Sequence, residues 1–147
     1  MSPKLINQGE PVKHIVLLVS ASLITFGALA RDLAPLVDYD NVPVATGSGK
    51  PASAQAVGVA ISNAAAHGKR AWNVQRTAPD KMRASYNVRQ HSIVVDIGYS
   101  DKAYSIHYAA SDNMKYSDAS GKKLIHPFYN AWVDELKRGI STELSKL

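Results

Sequence analysis

A chain of 147 residues with no cysteine is sized for one domain that must hold together through its core, with no disulfide to help. Its formal charge of +5 at pH 7 arises from 17 basic and 12 acidic residues spread along the sequence. That diffuse excess excludes the dense basic clusters typical of nucleic-acid binding, and suits an anionic envelope component or an acidic protein as partner.

The first thirty residues read as an address. Lys4, Lys13 and His14 precede an apolar run from Ile15 to Ala30, with Ala28 and Ala30 as the small residues just ahead of Arg31. A basic region, a short apolar core and a small-residue cleavage site are the parts of a secretory signal peptide. The mature chain is therefore expected to begin at Arg31 and to work in the periplasm. A retained anchor is the competing reading, but a spanning helix takes roughly 20 apolar residues. This run is shorter and holds Ser20, Ser22, Thr25 and Gly27, so no stable membrane span is expected after cleavage. Attachment of a lipid needs a cysteine after the apolar core, and none is there.

Residues 31–52 form an extended lead-in punctuated by Pro35, Pro43 and Pro51, with a short strand conceivable around Leu36–Tyr39 or Val42–Ala45. Gly47, Gly49 and Lys50 imitate part of a phosphate loop, but Pro51 stands where the hydroxyl residue belongs. The remainder, 53–147, reads as a single α+β domain. Ser53 caps a first helix from Ala54 to about His67, closed by Gly68 in a left-handed turn. Val57, Ala60, Ile61, Ala64 and Ala65 make its buried stripe.

Four strands follow, each with period-two alternation. Trp72 and Val74 begin the series. Met82, Ala84, Tyr86 and Val88 come next, then Ile93, Val95, Ile97 and Tyr99, then Tyr104, Ile106 and Tyr108. Alternation of this kind marks a sheet with one face buried and one face wet, and the short connections predict an antiparallel meander. A loop from Ser111 to about Lys123 leads to a last helix from Pro127 to Leu144, whose stripe is Phe128, Trp132, Leu136, Ile140 and Leu144. Gly139 within it marks close approach to another element or early fraying. The expected architecture is two-layered: helix, four-stranded antiparallel meander, helix, with both helices on one face of the sheet.

If Gln90 and His91 form a two-residue turn, Ser85 faces Asp96; a Ser100–Ala103 loop makes Asp96 face His107. The row Ser85, Asp96, His107 has the composition of a hydrolase triad in the wrong order, since His must stand between nucleophile and acid. A polar cross-strand lattice is the better reading. Lys81, Arg83, Arg89 and His107 share the wet face as candidates for binding a phosphate- or carboxylate-bearing partner. The long connection and helix start add Tyr116, His126 and Asn130 as candidates. The histidines show no ligand spacing, and Asp38, Asp40 and Asn41 lack the glycine and glutamate of a calcium loop, so neither metal nor cofactor is expected.

Asn87, Arg89 and His91, then Val95, Ile97 and Tyr99, then Tyr104, Ile106 and Tyr108, and finally Ile125, His126, Tyr129, Asn130, Trp132 and Val133 form a pattern of spaced aromatics. In that pattern the chain resembles a group of small proteobacterial envelope proteins, many of them lipoprotein-like and of uncharacterised function. The resemblance runs from about Val42 to Ile140; it implies an envelope location and this fold, and transfers no catalytic residue. The expected function is a secreted, non-enzymatic periplasmic protein that binds an envelope protein or an anionic polymer or lipid. The alternative is a small periplasmic hydrolase or ligand-binding protein with its site near His126 and Tyr129.

Overall fold

The computed structural model describes residues 32–147; the expected signal peptide and the cleavage point at Arg31 lie outside the described residues. The described residues are α+β, with two helices and two antiparallel sheets. In order the elements are β1 (Ala34–Pro35), β2 (Tyr39–Pro43), α1 (Ala54–His67), β3 (Asn73–Ala78), β4 (Lys81–Val88), β5 (His91–Tyr99), β6 (Ala103–Asp112), β7 (Ser117–Ala119), β8 (Lys122–Ile125) and α2 (Phe128–Leu144). The larger sheet runs β2-β6-β5-β4-β3 and the smaller β1-β8-β7.

The expected four-stranded meander is thus five-stranded. β3 to β6 follow one another as predicted, and the lead-in adds β2 along the free side of β6. The lead-in also supplies β1 to the second sheet. Its prolines are compatible with both roles, because Pro35 and Pro43 sit in edge strands, where a missing N–H interrupts no ladder. The expected loop before the last helix contains the β7–β8 hairpin. Ser120 (φ 59°) and Gly121 (φ 71°) form its two-residue turn, the left-handed pair that matches strand twist.

Three local expectations are corrected. Gly68 ends α1 in extended rather than left-handed backbone (φ −69°), although its N–H still donates to the Ala64 carbonyl at 3.0 Å. Trp72 lies just before β3 and is tied to α1 by its N–H on the Ala65 carbonyl. Phe128, placed on the buried stripe of the last helix, is 40% exposed.

One core joins these parts. Met82, Ala84, Ile93, Val95, Ile97, Tyr99, Tyr104 and Ile106 of the large sheet pack with Val57, Ile61 and Ala65 of α1 and with Tyr129, Trp132, Val133, Leu136, Ile140 and Leu144 of α2. Tyr99 lies under Gly58, and Tyr86 meets the edge of Trp132 at 5.2 Å between centroids. Gly139 lies beside Ala64 of α1, but a Cβ there would make ordinary contact at 3.7 Å, so the approach does not demand a glycine; nor does α2 fray there, since it runs on to Leu144.

Candidate functional site

The β4–β5 turn is made by Arg89 and Gln90, because Val88 pairs with His91. That moves every β4–β5 pairing by two residues from the expected register. The inward and outward faces survive such a shift, since the side-chain period is two. The partners do not: Asp96 faces Arg83, and Ser85 faces Val94. The triad-like row therefore does not form. Asp96 and His107 face each other as expected.

What stands on the outer face is a row of basic and acidic side chains across four strands, Arg83, Asp96, His107 and Asp40. Arg83 holds Asp96 in a bidentate pair, Nε to Oδ1 at 2.7 Å and Nη2 to Oδ2 at 3.0 Å. The hydrogen bond from Arg83 keeps the Asp96 carboxyl below its usual range, against a smaller opposing effect of burial. On the other side, His107 Nε2 lies 2.6 Å from Asp40 Oδ1 on β2. Next to Asp40, the Asn41 N–H donates to Ser105 Oγ at 2.9 Å.

Beside this row runs a second, Lys81, Gly98 and Ser105, paired across β4, β5 and β6. A Cβ placed on Gly98 would meet nothing within 4 Å. The missing side chain therefore leaves a trough of about 660 Å³, bordered by Thr77, Lys81, Arg83, Asp96, Ser105 and His107. Lys81 is exposed there and makes no ion pair among the described residues.

The other candidates lie elsewhere. Arg89 leaves the outer face for the hairpin turn (φ 53°), beside a hollow of about 420 Å³ with Arg70, His91, Phe128 and Trp132. His126 Nδ1 accepts the Phe128 N–H at 3.2 Å, in the manner of a helix cap, and its ring lies 4.7 Å from Phe128. Asn130 fastens the lead-in: its Nδ2 donates to the Pro35 carbonyl at 2.8 Å, and its Oδ1 accepts the Val37 N–H at 3.0 Å. Tyr116 stacks on Tyr108 at 4.5 Å, and Tyr108 meets the edge of Tyr129. Tyr129 is fully buried, and burial pushes its phenol well above the ordinary value.

Lys81, Arg83 and His107 are thus brought together, while Arg89, Tyr116, His126 and Asn130 are not part of that group. Sequence reasoning missed Asp40, Gly98 and Ser105. Gly98 and Ser105 occupied outward positions of recognised strands, so their place on the face was there to be read. Asp40 was not, since both short strands conceivable in the lead-in, Leu36–Tyr39 and Val42–Ala45, stop short of it, whereas β2 spans Tyr39–Pro43. Among the described residues no three His, Asp or Glu side chains gather as a metal cradle, and no helix is long and apolar enough to cross a membrane. Comparison with protein-family models, with curated proteins and with solved structures gives no match.

Proposed function

We propose that this is a secreted, non-enzymatic envelope protein that holds an anionic group of its partner in the trough on the outer face of the large sheet. The observation that carries the reading is Lys81. In the row beside it Arg83 is paired with Asp96, and His107 lies against Asp40. Lys81 is left as the cation that an incoming carboxylate or phosphate would meet. Ser105 already accepts the Asn41 N–H, which leaves its hydroxyl hydrogen to donate, and Thr77 offers a second hydroxyl at the rim. The trough falls within the size range of ligand clefts, yet it opens on a sheet face. That shape suits a protruding group on a polymer, lipid or protein better than an enclosed metabolite.

A hydrolase finds less support in this geometry. His107 stands between two carboxylates with no nucleophile in its row, and Ser85 is paired away from it. Near the other proposed site the Tyr129 ring is sealed in the core.

Two variants test the binding reading. Lys81→Glu reverses the cation, and Gly98→Val puts a branched side chain, suited to a strand, on the open floor of the trough. Binding to phosphatidylglycerol vesicles, to polyglutamate and to polyphosphate is measured at low salt and again at 0.15 M. The arm that binds identifies the source of the anion. At least a tenfold loss is expected in both variants, with weaker salt dependence in Lys81→Glu. Wild type that binds none of the three, or variants that bind like wild type, would remove the proposal.

A further inference from the structure

The two edges of the large sheet are built differently. β2 is short, ends in Pro43, carries a left-handed Asn41 (φ 49°) and breaks register between Tyr39 and Val42. These features blunt an edge against further pairing. β3 has no proline and no left-handed residue, and its pairing with β4 is regular from Asn73 to Arg76, shifting register only between Arg76 and Ala78 at its end. Its other side is open: among the described residues no backbone hydrogen bond reaches β3 except from β4.

Next to that open edge lies a hollow of about 370 Å³ between β3 and α1. Val74 and Arg76 face it because they pair with Met82 and Ala84 on the inner side of the sheet. Val59, Ser62 and Ala66 of α1 form the wall, and Trp72 closes one end. Val59 is the most exposed large apolar residue of the described chain, at 53%. Side chains of an added strand point alternately to the two faces, so every second one would enter this hollow.

We propose that the open edge of β3 and the hollow under α1 form a docking groove for an extended peptide segment, which adds as a sixth strand and carries an acidic side chain to Arg76. Main-chain pairing supplies the attachment and the alternate pockets supply selectivity, the general mode of strand addition. Arg76 sets the charge. Its Nη2 donates to the Tyr99 hydroxyl at 2.8 Å, it makes no ion pair among the described residues, and no residue lining the hollow is acidic. The same arginine disfavours a second copy of the chain as occupant, because β3 against β3 would bring another Arg76 onto the same face of the extended sheet. The groove is separate from the Lys81 trough and does not depend on it.

The test uses two capped heptapeptides of alternating valine and threonine, one with glutamate and one with lysine in place of a single valine. Each is titrated into the isotopically labelled protein while backbone amide resonances are followed. The expected result is perturbation and slowed exchange at Asn73–Ala78, with the glutamate peptide bound at least tenfold tighter. Arg76→Glu should reverse the order of the two peptides. Val59→Asp, at an exposed position that leaves the core intact, should weaken the glutamate peptide at least tenfold. Equal affinity for the two peptides, no binding at millimolar concentration, or perturbation confined to other elements overturns the proposal. Concentration-dependent protection of β3 without peptide also overturns it, by making a second copy the occupant.

Discussion

The Trp132 ring lies 5.2 Å from Tyr86 and 5.7 Å from Phe128, with the Arg70 guanidinium 5.3 Å from its centroid. It is 6% exposed, so its removal opens a cavity at the join of α2, β4 and the α1–β3 connection. Trp132→Ala is expected to lose about 3–5 kcal/mol, read as a lower urea midpoint. An unchanged midpoint with lost binding would instead make the ring a contact residue. The sequence made this burial legible because Trp132 stands mid-stripe on a helix with a clean period. Phe128 shares that period and was misplaced: it stacks on the outside of Trp132 and borders the open hollow beside Arg89 and His91. The pairing of Asp96 with His107 was legible from the short loop at Ser100–Ala103. The pairing of Asp96 with Arg83 was not, since Arg89 at φ 53° is a residue that seldom takes the left-handed turn position.

At the scale of elements, α1 comes down on β5 through Gly58. A Cβ there would sit 2.8 Å from the Tyr99 hydroxyl and 2.9 Å from its ring, while Tyr99 is held below by its hydrogen bond to the Pro79 carbonyl. Gly58→Ala gains about 1 kcal/mol of helix propensity, yet overpacking costs about 1–3 kcal/mol, so net destabilisation is expected in thermal melts. A more stable variant would mean that α1 can lift away without penalty. The other end of α1 is tied to α2 through Glu135, which receives Lys69 Nζ at 3.1 Å and Arg70 Nε at 2.7 Å. Burial alone would raise the Glu135 carboxyl, but hydrogen bonds from the two cations outweigh it and hold the folded-state value below the ordinary 4.5. The unfolded chain then takes up the proton more readily than the folded one. The stabilisation is complete above the ordinary value and disappears as pH falls through the lowered one. Urea midpoints should therefore hold from pH 7 to about 5.5 and drop below about 4.5, with a shallower drop in Glu135→Gln. Identical acid limbs in the two proteins would dismiss the bridge as a determinant. The long meander strands and both helices were legible in the sequence because each repeats its period several times. β1, β7 and β8 span 2, 3 and 4 residues, too short to show a period, so the β7–β8 hairpin read as part of a loop from Ser111 to about Lys123.

For the whole molecule, the secretion reading makes a simple demand: protein recovered from the periplasm should begin at Arg31 by mass analysis, and material beginning at Met1 would remove it. The candidate site is assembled from distant parts of the chain, with Asp40 on β2 and His107 on β6 meeting only once the lead-in has docked. No local pattern could announce that meeting. The Asn130 side chain extends the same theme, because it grips the backbone at Pro35 and Val37 as a neighbouring strand would. Its consequence concerns time rather than shape. Asn130 holds residues made some 95 positions earlier, and six side chains of α2 complete the core. At about 5–20 residues per second of synthesis, roughly 5–19 seconds separate the making of Pro35 from the making of the side chain that clamps it. Until α2 has been made, the lead-in lacks its clamp and the core its last six side chains, so completion of this fold waits on the last helix.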